Sequence, residues 1–159
     1  MSVRQVVRCE GVNQSGARCS RRAARTSLCF QHLEAKYHVQ IKDSHIKPAG
    51  KGLYTTIARK KGENFAPYSG QRVVSHDPRF GGDYVLQVKK YPPTFIDARM
   101  SSSGAGRYSN NARAGEGVNN AKLSLNAAKA EANLKATKNV PKGAEIFTAY
   151  GNTYWQNRV

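Results

Sequence analysis

Residues 141–151 read Pro141-Lys142-Gly143-Ala144-Glu145-Ile146-Phe147-Thr148-Ala149-Tyr150-Gly151, and Tyr154-Trp155 follow shortly after. Val140 to Gly143 is a breaker. Packing ahead of a turn is the plainer reading of Tyr150 before Gly151, but among these residues it alone favours a functional role even taken singly. The stretch gains meaning from three others that precede it. The first is Gly50-Lys51-Gly52-Leu53-Tyr54, and the second is Pro67-Tyr68-Ser69-Gly70. The third is Ile96-Asp97-Ala98 with Gly106-Arg107-Tyr108-Ser109-Asn110-Asn111 behind it. Each alone is weak. A lone G-x-G is usually a turn, Tyr68 and Tyr84 taken singly are more often core aromatics, and Asn110-Asn111 after a Gly/Ser stretch is more often a turn.

Around these stretches, the pattern from Val39 onward is one of short strands. Val39 and Ile41 alternate with polar neighbours, and Leu53 to Ala58 is Thr-rich. Tyr84-Val85-Leu86-Gln87-Val88 and Thr94-Phe95-Ile96 are β-branched or aromatic runs. Glu131 to Thr137 alternates, with Ala132, Leu134 and Ala136 on one face. Breakers separate the runs at Pro48–Gly52, Lys60–Gly62, Gly81-Gly82 and Pro92-Pro93. With no long amphipathic helix and no internal repeat, the pattern predicts a mostly β chain built from small sheets. Residues 101–121 are rich in Ser, Gly, Asn and Ala, and composition alone reads them as a flexible linker.

The chain has 159 residues, which predicts one domain with at most a small appendage. Its 26 basic and 10 acidic residues give a formal charge of +16. Residues 1–49 carry 9 basic and 3 acidic groups, and residues 50–159 carry 17 and 7, so a basic tail on a neutral domain is excluded. Such a field favours nucleic acid, an anionic membrane or acidic protein. No run of about 18 apolar residues occurs, which predicts no membrane span. Arg4 and Arg8 have no apolar stretch behind them, which predicts no secretory signal and a chain that is not secreted. The three cysteines all lie within the first 29 residues. An odd number is a poor disulfide framework and points to a reducing compartment.

Residues 1–38 differ from the remainder: they are Arg-rich and turn-rich, hold every cysteine, and predict one short helix over Leu28 to Tyr37. Cys9, Cys19, Cys29 and His32 follow the spacing C-x9-C-x9-C-x2-H. Three thiolates and one imidazole complete a closed tetrahedral zinc shell, the structural kind. Cys29 and His32 lie about one helical turn apart and so reach one metal. A metal clip supplies stability that so short a segment lacks. The plainer alternative is three thiols and a solvent His. The sequence thus divides into a zinc-clipped module over 1–38 and a second domain over 39–159. Arg18-Cys19-Ser20-Arg21-Arg22 with Arg25 resembles small Cys/His modules of the type R-C-x-G-x-x-x-S-G-x-R-C…C-x-x-H. Its arginines either grip phosphates or form a solvated basic face.

Taken in order across residues 40–156, the four stretches resemble the SET domain of protein-lysine methyltransferases. The family patterns are G-x-G, Y-x-G, I-D-A…G-N-x-x-R-F-I-N-H-S-C and G-E-E-L-x-x-D-Y-G-x-x-Y. The compact length without a cysteine-rich tail is most similar to minimal SET proteins known from viruses. The resemblance implies a β-clip of small curled sheets with a C-terminal pseudoknot. There the Asn110 segment threads beneath the loop leading to Tyr150, so residues 104–113 become a buried crossing. It also implies an S-adenosylmethionine-dependent protein-lysine N-methyltransferase of the histone-lysine type. Residue by residue, Gly50, Lys51 and Gly52 lie against the methionine part of the cofactor, and Asn110 holds its amino group. Asn111 faces the adenine side, Trp155 or Tyr154 closes over the adenine, and Arg107 belongs to the same cofactor-binding set. Tyr84 matches the Tyr at the cofactor and lysine pocket, Tyr68 lines the lysine channel, and Tyr150 is the Tyr most closely tied to methyl transfer.

The residue types suit that chemistry. A sulfonium methyl is already activated, so an in-line displacement needs alignment, a dry channel and a neutral amine. A free lysine has a pKa of about 10.4, and a neighbouring positive sulfonium lowers it. Tyr side chains hold the apolar stem while their hydroxyls orient the amine. The third pattern departs from the family: Asn111 stands in place of His, and the family's Cys is absent. Thr148 stands where many members carry Phe or Tyr. A charge of +16 would repel a free basic peptide, so either the protein docks first on DNA or a nucleosome or the substrate is not a histone. The implied partners are a protein with a target lysine, a histone favoured, and DNA or a nucleosome. No membrane partner is implied, and oligomeric state stays open, a homodimer included. The implied setting is chromatin in the nucleus, or a virus-encoded protein delivered to the host nucleus. The alternative is a non-catalytic, SET-like basic module that binds nucleic acid.

Overall fold

The computed structural model describes residues 7–46, 50–73, 85–90, 92–98, 103–112 and 118–149. A two-stranded ladder of β1 (Val7–Arg8) and β2 (Arg22–Ala23) precedes the single α-helix of the described residues, α1 (Phe30–Tyr37). The helix starts two residues later than the sequence pattern predicts, because Cys29 is its extended N-cap. It ends at His38, which adopts a left-handed conformation (φ 54°) and donates its N–H to the Glu34 carbonyl. This αL cap turns the chain directly into β3 (Val39–Asp43).

β3 pairs antiparallel with β4 (Lys51–Thr55), from Val39 opposite Thr55 to Asp43 opposite Lys51. The predicted strand over Leu53–Ala58 thus sits earlier: after Thr55 the chain leaves the ladder, and Thr56 N–H is taken by the His38 carbonyl. β5 (Asn64–Tyr68) enters a four-stranded sheet ordered β11–β9–β10–β5, with β9 (Ala121–Asn126), β10 (Glu131–Ala136) and β11 (Thr148–Ala149). A third sheet holds β6 (Gln71–Val73), β8 (Thr94–Asp97) and β7 (Val85–Lys89) in that order. The molecule is therefore mostly β and built from small sheets, as the alternating runs predict. Among the described residues no helix is long and apolar enough to cross a membrane.

The alternation in β10 works as read: Ala132, Leu134 and Ala136 are all buried. Leu134 meets Phe65, Leu53, Val39 and Ile146 in the main core, and Leu33 from α1 joins the same cluster. A second cluster gathers Tyr68, Val88, Ile96, Ala98 and Ala132. Arg59 is buried at the junction of helix and sheets. Its guanidinium donates to the Tyr37 and His38 carbonyls at the end of α1, to the Asn64 carbonyl at 3.0 Å, and to Thr55 Oγ1 at 3.0 Å. Burial holds its pKa below the ordinary arginine value, yet four acceptors satisfy a charge that would be costly alone.

Residues 103–112 are not a linker. Ala105–Tyr108 form one 3-10 turn, and Ala105, Arg107, Ser109, Asn111 and Ala112 are all buried. Composition misleads here because small residues are what a crowded crossing requires. A Cβ on Gly106 would lie 2.7 Å from the Pro67 carbonyl oxygen. The crossing partner is the segment entering β11. Asn110 bridges Phe147 in parallel, and Thr148 N–H donates to the Asn110 carbonyl at 2.8 Å. On the other side, Asn120 clasps the same segment: its Oδ1 accepts from Phe147 N at 2.9 Å, and its Nδ2 donates to the Glu145 carbonyl at 3.0 Å. β11 then runs parallel to β9. Residues 145–149 thus pass between residues 109–110 and 120–122, the implied pseudoknot.

Candidate functional site

Two constellations emerge. In the first, the ligand atoms of Cys9, Cys19, Cys29 and His32 all lie within 4.8 Å of one another. Loop geometry converges them: Cys9 N–H donates to the Arg21 carbonyl and Cys19 N–H to the Gly11 carbonyl, both at 2.8 Å. His32 sits one turn into α1 from Cys29. Its Nδ1 is 3.4 Å from both Cys9 Sγ and Cys29 Sγ. A tetrahedral zinc shell with Zn–S of about 2.3 Å and Zn–N of about 2.0 Å has sulfur–nitrogen edges of about 3.5 Å. The donor set therefore fits zinc.

The surroundings fit as well. His32 Nε2 lies 3.1 Å from the Val12 carbonyl, which places the proton there and leaves Nδ1 as ligand. Gly11 is needed at that contact, since a Cβ would lie 2.5 Å from the imidazole. Backbone N–H groups of Gly11 and Cys29 donate to Cys9 Sγ, and that of Arg21 to Cys19 Sγ. Burial pushes the Cys9 thiol up, but the Cys29 and Gly11 N–H donors, with the Cys29 and His32 side chains, outweigh it and bring its pKa to about 7. Burial, followed by the neighbouring Cys9, pushes Cys29 up. All three thiols are free of disulfides. Arg8 and Arg18 are committed locally: Arg8 donates to the Cys19 and Arg18 carbonyls, and Arg18 to those of Cys9 and Arg8. Arg21 and Arg22 remain exposed.

The second constellation lies where the β3–β4 hairpin meets the pseudoknot. Asn110 Nδ2 donates to the Lys51 carbonyl at 3.0 Å, which joins two of the sequence stretches across 59 positions. Gly50 has φ 77°, and nothing lies within 4 Å of the position its Cβ would occupy. The turn thus presents bare backbone to open space. Gly52 has a different constraint: a Cβ there would lie 2.5 Å from Glu145 Oε2. Lys51 Nζ pairs with Asp43 Oδ1 at 2.6 Å, and this holds the exposed Asp43 carboxyl below its ordinary range.

Glu145 is the residue whose role the sequence does not disclose. Its carboxylate is buried and accepts from Ser44 Oγ at 2.6 Å and from His45 N–H at 2.8 Å. The Tyr54 hydroxyl lies 2.6 Å from the Asp43 carbonyl and 3.1 Å from Glu145 Oε1, sharing one proton between them. Burial first, and then the Glu145 carboxylate, raises the Tyr54 pKa to about 12. Glu145 stands within the fourth stretch and Tyr54 within the first, which is the only signal that a sequence reader has.

Tyr68 sits at the end of β5, opposite Ala132 and packed on Val88 and Ile96. Arg107 stacks over the Tyr108 ring at 4.5 Å and donates to its hydroxyl at 2.6 Å. Tyr108 in turn donates to the Arg25 carbonyl. Asn111 Oδ1 accepts from Asn119 Nδ2 at 3.3 Å. Thr148 is fully buried, with its hydroxyl bonded to that of Ser109. Gly50, Lys51, Gly52 and Asn110 are therefore brought together, whereas Tyr68 and Arg107 face their own packing clusters. Tyr84, Tyr150, Tyr154 and Trp155 lie outside the described residues.

Small curled sheets closed by a pseudoknot between residues 109–110 and 145–149 make this the SET-domain fold, preceded by a Cys/His cluster. Solved structures agree. The chain is similar to the methyltransferase domain of human PR domain-containing protein 2, with 22% identity and a TM-score of 0.57, covering 77% of this chain and 84% of that one. It is also similar to Chaetomium thermophilum polycomb repressive complex 2 in two states. In complex with H3K27me3 and H3K27M the identity is 19% and the TM-score 0.57, over 72% of this chain and 14% of that one. In the autoinhibited conformation bound to S-adenosylmethionine the values are 17% and 0.58, over 72% and 15%. The chain thus spans about one seventh of those longer chains. No protein-family model and no curated protein sequence matches it.

Proposed function

We propose that this chain is an S-adenosylmethionine-dependent protein-lysine N-methyltransferase acting on a histone or another chromatin- or nucleic-acid-associated protein. The observation that carries the reading is the bond from Asn110 Nδ2 to the Lys51 carbonyl, made at the pseudoknot of a SET fold. S-adenosylmethionine, when bound, supplies an activated methyl on a sulfonium. Gly50 admits a ligand to the backbone of its turn. With Nδ2 engaged by Lys51, Asn110 keeps Oδ1 to accept from an ammonium group. Asn111 faces the adenine side, Trp155 or Tyr154 closes over the adenine, and Tyr84 borders the pocket, while Arg107 braces Tyr108 beside the Asn110 crossing. Tyr68 and Tyr150 hold the stem of the target lysine, exclude water and orient its neutral amine. Cys9, Cys19, Cys29 and His32 hold one structural zinc ion. The relatives bound to S-adenosylmethionine and to histone H3 forms support this choice of cofactor and substrate class. A nuclear, chromatin-associated setting follows, whether the protein is cellular or virus-encoded.

The test is transfer of a labelled methyl group to nucleosomes, free histones and a cell extract, followed by mass spectrometry of any labelled band. The wild type should label a lysine, and Tyr150→Phe should cut the rate by about a hundredfold or more. Full-speed transfer by Tyr150→Phe would overturn the role of that residue. A second reading, a non-catalytic module that binds nucleic acid, is favoured by the +16 charge and the exposed Arg21 and Arg22. Calorimetric heat on adding S-adenosylmethionine would sink it.

A further inference from the structure

We infer that Glu145 is a positioning residue for the cofactor: its buried carboxylate fixes residues 44–46 and 52 at the two ends of the hairpin turn so that Gly50 and the Lys51 carbonyl meet the incoming ligand. This rests on the methyltransferase reading and deepens it. The described residues of that turn are 44–46 and 50–52. Ser44 N–H donates to the Gly50 carbonyl at 2.8 Å, and beyond this bond the described part of the turn relies on side chains. Three of the bonds that hold it converge on one carboxylate. Ser44 Oγ and His45 N–H bind at the start of the turn, and Tyr54 binds from β4, where it also reaches the Asp43 carbonyl. Ser44 Oγ passes the restraint on by accepting from Ile46 N–H at 3.1 Å. The backbone of Gly52 closes over the same carboxylate, in space that no side chain fits.

The other side of the turn is held by Asn110. Glu145 and Asn110 belong to the two strands that cross in the pseudoknot. Glu145 is fixed there by its own bridge to Tyr54, and Ile146 N–H donates to the Leu53 carbonyl at 2.7 Å. One rigid crossing therefore sets both edges of the turn. A charged acceptor is suited to this role, because hydrogen bonds to a carboxylate are stronger than neutral ones and three donors satisfy it.

The test measures S-adenosylmethionine binding by calorimetry, and KM for cofactor and for protein substrate, in wild type, Glu145→Ala, Glu145→Gln and Tyr54→Phe. Glu145→Ala should raise Kd and KM for the cofactor by about tenfold or more. Glu145→Gln keeps one oxygen acceptor and should recover most of that loss. Tyr54→Phe should fall between it and the wild type. KM for the protein substrate should stay within about twofold of wild type in all three, which a general loss of fold would not give. Should Glu145→Ala fail to fold, the ordering of the other two carries the readout. Unchanged cofactor affinity in the variants, beside a wild type that binds, overturns the positioning role alone. A wild type that binds no cofactor overturns this role and the methyltransferase reading together.

Discussion

The N-terminal segment around Cys9 to His32 and the crossing of residues 105–149 are both short of regular structure, yet they are held in different ways. In the N-terminal segment the buried apolar cluster is Cys9, Cys19, Ala23 and Cys29, so three of its four members are the thiols themselves. In the crossing, order comes from the chain: Asn120 clasps the entering strand on one side, Asn110 on the other, and Ile146 is buried beneath in the main core. Weak patterning in a sequence thus has two distinct physical origins. One is a segment whose buried cluster is made of metal-ligand side chains, and the other is a segment whose small and polar residues are spent on close backbone crossings.

The sharpest way to break that comparison is to remove the metal. Chelation, or Cys29→Ser, should unfold the segment up to α1, since structural zinc contributes on the order of 10 kcal/mol to such modules. Residues 39–149 should keep their hydrogen-exchange protection apart from the loss of Leu33 packing. Unchanged protection at residues 7–29 after chelation would contradict the clip. The next effect lies at the junction between the two regions. Arg59→Met leaves the Tyr37, His38 and Asn64 carbonyls without their donor, and should cost about 3 kcal/mol in a denaturant titration.

Within the crossing, Tyr54 sharpens the picture through alkaline pH. Its folded pKa of about 12 lies above the ordinary value of 10.0. The stability contributed by the neutral phenol is therefore complete below the ordinary value and is lost as pH rises through the folded one. The stability difference between wild type and Tyr54→Phe should shrink across that window by about 3 kcal/mol. A difference that stays flat would mean that the phenol does not face the carboxylate. The smallest effect concerns the hydroxyl pair at the centre of the crossing. A double-mutant cycle of Ser109→Ala and Thr148→Val should give a coupling of about 1 kcal/mol, against none if the two side chains do not meet.

What could be read in advance follows the same division. β10 was legible because Ala132, Leu134 and Ala136 sit on one buried face. β5 was not, because Pro67 interrupts it and a bulge opposite Leu134 and Lys135 breaks its alternation. β11 is two residues long and exists through its partner β9 alone. The clustering of Cys9, Cys19, Cys29 and His32 was legible from spacing, since ligand types and a helical turn suffice. Asn110 was legible through its motif, whereas its bond to Lys51 is a matter of topology. Glu145 was hidden as an actor because Ser44 and His45, its partners, lie about a hundred positions away. The arginines of this segment read equally as phosphate contacts or as a solvated face; Arg18 is engaged by the Cys9 and Arg8 carbonyls, and Arg21 and Arg22 are exposed.

In the proposed function the Gly50–Gly52 turn and the Asn110 crossing receive S-adenosylmethionine together. Hydrogen exchange with and without saturating cofactor tests it most directly. The account predicts slowed exchange at residues 50–52 and 109–111 in concert, with residues 9–32 unaffected. Slowing at neither segment, or at one without the other, would contradict it.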